Sequence, residues 1–464
     1  MLSSLQDFIK RLGHLNELQS VVATVDTHLE IAAITRRVSN YPKGGPALLF
    51  RHPDQHSIPV ITNLFGSRRR MRLALGMDRL EDLTADFTAL LKPLSINTFT
   101  DLGPLLNNHP GLHICRPVTI PTGPCREECE MGADLFSLPF LQNWPDDGSA
   151  AGTGRYITLG QVFTTLPDGS EPNCGIYRCQ IHDAHSLAIR WQIGSGAAGH
   201  HRAFIRRGER MPLAIVLGGP PALTLAAAWP LPQGLDEMTF SCWLRQATLP
   251  MVSCPHGPVL VPAEAELVIE GFAEPDHPLT EGPFGNHTGR YDPAGPAARI
   301  TVTRITSRRA PILPATVVGP PPQEDCWMML GWERILAALL PRLVPEVRDI
   351  RIPIPWVFRQ SAVISVSSLG IRQNRAIIQA LWELPWFAKS RLLILVDADA
   401  PPGGLLQAAW HTVNLTDWSE DMIQDETGRR LAIDATGRRF SGVGLSDSST
   451  AQLIAQRWKE YGLP

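Results

Sequence analysis

Short segments of alternating apolar and polar residues, separated by tight turns, fill the middle third of the chain. One segment covers residues 156–164 and ends near the turn Pro167–Gly169, and residues 175–181 and 187–193 follow it. A period of two along each segment is typical of β-strands with one buried face. The connections are too short for the crossover that a parallel pair requires. The sequence therefore predicts an antiparallel meander, joined by strands at 265–271 and 300–305, in a β-rich barrel or curved sheet with a helical insert near 222–245.

The flanking thirds mix helices and strands. Apolar residues fall at helical spacing within 5–12 and 29–38, and residues 46–51 and 57–64 are strand-like, with Ser67 as N-cap of a following helix. After about residue 310 a helical stripe runs from Met328 to Leu339. Strands at 349–354, 361–368 and 392–396 then alternate with a helix at 372–383, and residues 448–461 form a terminal helix. This alternation predicts an α/β domain with a largely parallel sheet. The predicted domains are 1–120, 121–310 and 311–464.

The charge balance makes a nucleic-acid partner unexpected. The 464 residues include 42 basic and 45 acidic side chains, for a formal net charge of -3. Binding of nucleic acid usually needs a basic face or stripe, and this composition gives no sign of one.

No membrane-spanning helix is predicted. The run Met211–Leu235 lacks charges, but Gly218, Gly219 and two prolines interrupt its middle, which predicts a strand, a turn and a helix. The first 18 residues carry Asp7 and Lys10 within a helical pattern, unlike a secretory signal. We therefore expect a soluble, cytoplasmic protein.

Eight cysteines occur without a CxxC pair. Cys125 with Cys129, and Cys254 with His256, come nearest to metal-ligand spacing, yet neither has a matching second half. Free thiols in buried or half-buried positions are expected.

A glycine-rich loop at Gly194–Gly199 matches GxGxxG, which alone is a weak signal. A dinucleotide fold would need a parallel βαβ unit and an acid after the next strand. Here the preceding strand belongs to the antiparallel meander, which argues against such a site. A glycine loop before a helix can still hold a phosphate through free backbone amides, and His200 follows this one directly.

Arg178 lies in a strand-like segment, and Glu281 begins the segment Glu281–Gly289. They could form a structural ion pair or be two surface charges. Alternatively, the arginine could bind a substrate carboxylate beside an acid with a shifted pKa.

Asn173, His200 and Glu237 also have structural alternatives, as a turn residue, a helix-end histidine and a first-turn acid. An amide, an imidazole and a carboxylate together suit a hard divalent ion such as Mn2+ or Mg2+. Their spacing alone does not group them.

Five ordered segments resemble the UbiD family of prenylated-FMN-dependent carboxy-lyases, and the resemblance runs nearly end to end. The segments are Asn63–Arg70, Asn173–Arg178, Glu281–Gly289, Thr316–Asp325 and Ile433–Thr436. The resemblance implies an α/β and α+β fold: an N-terminal α/β segment, a central antiparallel split β-barrel that binds the flavin, and a C-terminal α/β oligomerisation domain.

The resemblance also implies roles for individual residues, which can be stated by site. Asn173, His200 and Glu237 would bind Mn2+ or Mg2+ at the phosphate of prenylated FMN, with K+ as a further candidate ion. Arg178 would contact the cofactor and the substrate carboxylate, and Glu281 would be the first acid of a Glu-Arg-Glu network. The other cofactor-binding residues implied are Ile176, Trp229, Pro230 and Arg430, the last at a position where a phosphate-binding lysine is usual.

The implied activity is reversible decarboxylation of an aromatic or heteroaromatic acid through a covalent cofactor adduct. A hydroxybenzoate or naphthoate quinone precursor is a candidate substrate, with CO2 as product. A flavin prenyltransferase would supply the cofactor, and a homodimer or larger homo-oligomer is expected.

One departure concerns the second acid of the family motif, whose position holds Asn286. An amide cannot exchange a catalytic proton at neutral pH. Either Glu281, His287 or water takes over protonation, or the chain is a cofactor-binding but inactive subunit of a larger carboxylase assembly.

Asn173 and Arg178 are five positions apart, so a flat strand would direct them to opposite faces. A shared site therefore requires a bulge at Gly175 or a position for Asn173 in the turn.

Overall fold

The structure is a computed structural model that describes residues 2–96, 98–131, 134–367, 370–398, 405–436 and 448–462. The chain divides into two compact units. Unit 1 is Met1–Leu343 with Ile354–Phe358, and unit 2 is Val344–Pro353 with Arg359–Pro464. No helix of the described residues has the length and apolar character needed to cross a bilayer.

The helices and strands of unit 1 alternate irregularly along the chain. The helices are α1 Leu5–His14, α2 Glu30–Ser39, α3 Arg68–Leu75, α4 Leu80–Leu91, α5 Leu102–Asn107, α6 Gly196–Arg207, α7 Pro221–Ala228, α8 Glu237–Arg245 and α9 Glu324–Leu343. The strands before α6 are β1 Leu18–Val25, β2 Ala47–Pro53, β3 Val60–Thr62, β4 Pro117–Thr119, β5 Glu128–Met131, β6 Tyr156–Ile157, β7 Gln161–Thr164, β8 Asn173–Ile176, β9 Cys179–Asp183 and β10 Ser186–Ile189. The strands after α6 are β11 Met211–Gly218, β12 Leu249–Ser253, β13 Leu260–Pro262, β14 Ala265–Ala273, β15 Leu279–Glu281, β16 Phe284–Gly285, β17 Tyr291–Asp292, β18 Gly295–Ser307 and β19 Leu313–Pro314.

A ten-stranded sheet is the centre of unit 1. Its order is β6-β9-β10-β18-β14-β11-β7-β8, and β15 and β5 also pair with β18. Every pairing in this sheet is antiparallel. The curled antiparallel half-barrel confirms the predicted fold class. The predicted strand 156–164 is two strands, β6 and β7, because the chain bends between them at Thr158 and Leu159. Gly160 follows this bend, and a Cβ there would lie 2.7 Å from the Ile157 side chain.

Strand β11 shows how this sheet holds two cores. All of its eight residues are buried. Leu213, Ile215 and Leu217 belong to one hydrophobic cluster, whereas Ala214 and Val216 belong to another that includes residues of α7 and α8. Because successive side chains of a strand point to opposite faces, β11 is apolar throughout rather than alternating.

The uncharged run forms a strand, a turn and a helix as predicted, with β11 followed by α7. The predicted insert at 222–245 is two helices, since Trp229 and Pro230 end α7 and Asp236 caps α8 by accepting from the amides of Met238 and Thr239. Ser67 caps α3 by accepting from the amide of Arg70 at 3.1 Å, as predicted.

Unit 2 has one five-stranded sheet. Its elements are β20 Val347–Arg351, β21 Ala362–Val366, α10 Ile371–Glu383, β22 Leu392–Asp397, α11 Leu405–Leu415, β23 Met422–Gln424, β24 Leu431–Asp434 and α12 Ser448–Arg457. The order is β20-β21-β22-β24-β23. The inner pairs are parallel and the two outer pairs antiparallel, which agrees with the expected α/β pattern.

Gly271 allows β14 and β18 to approach closely, and this generates a stability prediction. A Cβ at Gly271 would lie 2.1 Å from the Thr301 carbonyl oxygen, a backbone atom that cannot rotate away. We expect Gly271→Ala to destabilise the protein by about 1–3 kcal/mol, the usual effect of overpacking, and to lower the thermal unfolding midpoint.

The matched control is Gly199→Ala in α6, where nothing lies within 4 Å of the added Cβ. Because alanine is the better helix former by up to about 1 kcal/mol, this variant should melt at the wild-type temperature or above. Equal midpoints for the Gly271→Ala variant and the wild type would contradict the close approach.

Candidate functional site

A buried ion pair between Arg178 and Glu281 is the centre of the candidate site. Arg178 Nε donates to Glu281 Oε1 at 2.9 Å, and Arg178 Nη2 donates to Oε2 at 3.1 Å. The Glu281 side chain is 0% exposed. Although burial opposes it, hydrogen bonding to Glu281 and Asp292 raises the pKa of the Arg178 guanidinium. The arginine therefore stays charged and holds the carboxylate in a fixed, bidentate geometry.

Arg178 reaches this position because the chain leaves the sheet just before it. Strand β8 ends at Ile176 and β9 begins at Cys179, so Tyr177 and Arg178 lie between two strands. The strand is interrupted before Arg178, as a shared site requires, but the interruption lies at Tyr177 and not at Gly175 or Asn173. Gly175 pairs regularly with Val162, and Asn173 lies within β8 rather than in the turn.

A second arginine supports Glu281 from β10's end. Arg190 Nε lies 3.1 Å from Glu281 Oε2, without the geometry of a hydrogen bond, and Arg190 Nη2 donates to the Glu281 carbonyl at 2.9 Å. The Arg178 guanidinium also stacks on the Phe284 ring, with 4.6 Å between its central carbon and the ring centroid. The ion pair with Arg190, the hydrogen bond to the Glu281 carbonyl and the stacking of Arg178 on Phe284 together hold the Glu281 segment in place.

A hairpin beyond Glu281 adds a second carboxylate to Arg178. Strand β16 pairs with β17, which places Asp292 opposite Phe284. Arg178 Nη1 donates to Asp292 Oδ2 at 2.7 Å, and Asn286 Nδ2 donates to Asp292 Oδ1 at 2.6 Å. The Asp292 side chain is 42% exposed. Arg178 thus lies between a buried and a solvent-facing carboxylate.

Asn286, which replaces the expected second acid, has a defined orientation. Its Oδ1 accepts from the amide and the hydroxyl of Thr288, at 2.8 and 2.6 Å. This Asx turn leaves Nδ2 directed at Asp292. His287 follows in the connecting loop, and its ring stacks on Phe358 with centroids 3.9 Å apart. A catalytic role for His287 stays a prediction.

Asp147 fastens the hairpin to a neighbouring loop. Its Oδ1 accepts from the Gly285 amide at 2.7 Å and its Oδ2 from the Trp144 amide at 2.9 Å. Burial raises the pKa of Asp147 to about 6, against the lowering effect of these amides and of Arg178. Tyr156 is also buried nearby, and burial together with the charge of Glu281 raises the pKa of its hydroxyl.

The three predicted metal ligands come from three adjoining elements. Asn173 lies on β8 opposite Thr164 of β7, and Thr164 Oγ1 lies 2.9 Å from His200 Nδ1 on α6. Glu237 begins α8 and accepts from the amide of Cys174 at 3.1 Å. These contacts bring Asn173, His200 and Glu237 to one end of β8.

The residues at this end of β8 fit a cation. Glu237 is half-buried, and desolvation of its carboxyl raises its pKa to about 8. Burial also lowers the pKa of His200, which keeps its imidazole neutral as a ligand must be. The Asn173 side-chain nitrogen is buried without a hydrogen-bond partner, and rotation of the amide would place its oxygen there instead. No group of three His, Cys, Asp or Glu side chains suited to a metal occurs in the described residues. The candidate set is not such a group, because its third member, Asn173, is an amide.

Helix α6 can approach Asn173 on β8 only because the residue at position 196 is glycine. A Cβ at Gly196, the first residue of α6, would lie 2.1 Å from Asn173 Oδ1. The second glycine of the GxGxxG pattern therefore allows the helix to approach β8, and the antiparallel setting confirms that the pattern is not part of a parallel βαβ unit.

The remaining predicted cofactor contacts lie in several places. Ile176 ends β8, and Trp229 and Pro230 follow α7. The Trp229 indole is buried, donates to the Met328 carbonyl at 2.9 Å, and packs where Gly331 of α9 has no side chain. Contact of these residues with a flavin stays a prediction.

Arg430 lies in unit 2, before β24. Its guanidinium donates to Asp425 Oδ2 and to the Trp382 carbonyl, both at 3.1 Å, and stacks on the Trp382 ring. Binding of a phosphate by Arg430 stays a prediction.

The sequence reasoning missed Asp292, Asp147 and Arg190. For Asp292 a signal existed, because a glycine-containing loop between two short strands predicts a hairpin with its partner residues opposite each other. For Asp147 and Arg190 no comparable pattern is present.

Three family profiles match the chain along most of its length. They are the N-terminal domain of 3-octaprenyl-4-hydroxybenzoate carboxy-lyase at residues 9–87, its Rift-related domain at 116–321 and its C-terminal domain at 326–449. An uncharacterized protein of Aquifex aeolicus is 35% identical over 99% of this chain and 93% of its own length. One of Archaeoglobus fulgidus is 34% identical over 90% of this chain and 85% of its own.

Solved structures share the fold. The closed form of the vanillic acid decarboxylase of Sedimentibacter hydroxybenzoicus superposes with a TM-score of 0.83 at 23% identity, over 100% of both chains. An evolved dimeric form of the UbiD-class enzyme HmfF from Pelotomaculum thermopropionicum, in complex with prFMN, gives 0.81 at 24% identity, over 98% of this chain and 100% of that one. The apo 3,4-dihydroxybenzoic acid decarboxylase of Klebsiella pneumoniae gives 0.77 at 20% identity, over 98% and 99%.

The candidate metal site generates a binding prediction. Glu237→Gln keeps the size of the side chain but removes the negative charge. We expect Mn2+ affinity, measured from the electron paramagnetic resonance of free Mn2+, to fall by at least the roughly tenfold that loss of a supporting partner typically causes.

Glu209→Gln is the matched control, since the Glu209 side chain is 49% exposed and pairs only with Arg207 in the described structure. It should bind Mn2+ like the wild type. Equal affinity in all three proteins would remove Glu237 from the ligand set.

Proposed function

Because the chain belongs to the UbiD family of carboxy-lyases, we propose that it decarboxylates an aromatic or heteroaromatic carboxylic acid reversibly with prenylated FMN as cofactor. A hydroxybenzoate or a naphthoate quinone precursor is the proposed substrate class. The observation that carries the proposal is the bidentate pair between Arg178 and the fully buried Glu281. Such a pair keeps a guanidinium oriented at a site where a carboxylate substrate must be held.

The residues that would hold the cofactor are divided between two groups. Asn173, His200 and Glu237 would bind Mn2+ or Mg2+ at its phosphate, with K+ as a further ion. Ile176, Trp229 and Pro230 would line its ring, and Arg430 would add a charge at the phosphate. When bound, prenylated FMN supplies the electron sink for loss of CO2.

The protein's own residues would orient the acid and manage one proton. Arg178 places positive charge beside the substrate carboxylate, while Glu281 and Arg190 hold Arg178 in place. Each decarboxylation replaces the departing CO2 with a proton, so an acid at the site has to deliver one. A homodimer or larger homo-oligomer, and a flavin prenyltransferase that supplies the cofactor, complete the proposal.

A cofactor-binding but inactive subunit is the second candidate, and one observation favours it. Asn286 occupies the position of the second acid in the family motif and makes hydrogen bonds that a turn residue makes. The carboxylate of Asp292 on the same guanidinium argues against this alternative.

The decisive experiment is production of the protein together with a flavin prenyltransferase. We expect the purified protein to show the absorbance of the modified flavin and to release CO2 from at least one acid in a panel of hydroxybenzoic, vanillic, 3,4-dihydroxybenzoic and hydroxynaphthoic acids. Bound flavin without turnover or hydrogen-deuterium exchange on any acid would favour the inactive subunit. Failure to bind the flavin at all would refute both candidates.

Glu281 provides a prediction for this assay. Glu281→Gln preserves the shape of the side chain but leaves Arg178 without its buried counter-charge. We expect the variant to retain the flavin and to lose roughly 10²-fold in turnover, the scale on which misplacement of an orienting group lowers a rate.

Glu274→Gln is a suitable control because Glu274 contributes its carbonyl, and not its carboxylate, to the described hydrogen bonds. It should turn over the acid at the wild-type rate. Unchanged turnover in Glu281→Gln would exclude a role for Glu281 in the reaction.

A further inference from the structure

Two carboxylates share Arg178, and they differ in what they can reach. Glu281 is 0% exposed, and Arg178 binds both of its side-chain oxygens. Asp292 is 42% exposed and is the most exposed of the four side chains in these ion pairs. A proton from water can therefore reach Asp292 more directly than it can reach Glu281.

Asn286 and Asp292 are a hydrogen-bonded pair at one point of the hairpin. Only 2.6 Å separate Asn286 Nδ2 from Asp292 Oδ1, so an acid at either position would have its carboxyl group in nearly the same place. An acid at both positions would put two carboxylates in contact, and these would share one proton. An amide at 286 with an acid at 292 retains one carboxyl group where the family motif has its second acid.

The four side chains that form ion pairs at Arg178 have balanced charges before an acidic substrate arrives. Arg178 and Arg190 face Glu281 and Asp292. On the neighbouring loop, Asp147 accepts from two backbone amides and lies near Arg36, and Arg290 of the hairpin loop is exposed. An incoming carboxylate adds one negative charge, which favours uptake of one proton by the group that can exchange with water.

We propose that Asp292 is the acid that protonates the substrate carbon from which CO2 leaves, and that it takes the part of the acid missing at Asn286. The inference rests on the proposed function. The bond between the ring carbon and the carboxylate carbon breaks, CO2 departs, and its electron pair stays with the substrate. The proton of the Asp292 carboxyl group then forms the new carbon–hydrogen bond, and water reprotonates Asp292 for the next cycle.

Three variants of the flavin-loaded protein test the assignment. Asp292→Asn keeps the side-chain shape and an acceptor for Arg178, and it should retain the flavin while turnover falls by at least roughly 10²-fold. The double variant Asn286→Asp with Asp292→Asn exchanges the amide and the carboxyl group across their hydrogen bond. It should recover at least about tenfold of the lost turnover. The control Asp276→Asn removes an exposed charge in a turn and should match the wild type.

The outcomes separate this inference from the proposed function. If the wild type is active and Asp292→Asn is equally active, the inference is overturned, and protonation returns to Glu281, His287 or water. Loss of activity in Asp292→Asn without recovery in the double variant, together with loss of bound flavin, would mean that Asp292 is structural and would also overturn it.

A binding measurement tests proton uptake by Asp292 independently of turnover. If the wild type consumes no acid, the proposed function fails, and calorimetric titration with 4-hydroxybenzoate in two buffers of different ionisation enthalpy then measures protons taken up per ligand bound. We expect net uptake in the wild type and in Asp276→Asn, and none in Asp292→Asn. Equal uptake in Asp292→Asn, or no uptake in the wild type, would overturn the inference.

Discussion

The pairing of Arg178 with Glu281 is the constraint on which the rest of the candidate site depends. A carboxylate that is 0% exposed is stable only with an opposite charge and hydrogen bonds to its oxygens. Arg178 provides two of those hydrogen bonds, and it can do so only because β8 ends at Ile176 and releases the next two residues from the sheet. The end of β8, the burial of Glu281 and the charge of Arg178 therefore depend on one another. A continuous strand through 178 would deprive the buried Glu281 carboxylate of both hydrogen bonds from Arg178 and leave it paired with Arg190.

The hairpin after Glu281 depends on this pair in turn. Phe284 packs against the Arg178 guanidinium, and the cross-strand partner of Phe284 is Asp292. The amide of Gly285 between them is held by the buried Asp147. Because each residue is fixed by a neighbour that is itself fixed, the distance between Arg178 and Asp292 is a property of the hairpin. Asp292 on β17 can therefore contact Arg178 although it lies six positions after Asn286, where the family motif has an acid.

Much of the fold could be predicted from the sequence, because period and turn residues report local structure. The meander, the strand and helix within 211–235, and the α/β pattern of unit 2 all follow from such local signals. The site could be predicted only in part. The positions of Arg178 and Glu281 came from a motif, whereas the break at Tyr177 and the contact with Asp292 depend on pairing between distant strands. Arg190 and Asp147 have ordinary sequence surroundings, so only the folded chain reveals that both support the same segment.

The segment Asn173–Arg178 joins the two chemical ends of the site. At its beginning, Asn173 lies beside α6 and Glu237 accepts from the amide of Cys174. At its end, Arg178 donates hydrogen bonds to the carboxylates of Glu281 and Asp292. Between them, β8 is held in register with β7 by pairs from Gln161 with Ile176 to Thr164 with Asn173. A slip of one residue would turn every side chain of β8 to the other face. It would therefore displace the candidate metal ligand Asn173 and Arg178 together, so the pairing of β7 with β8 sets the distance between these two residues.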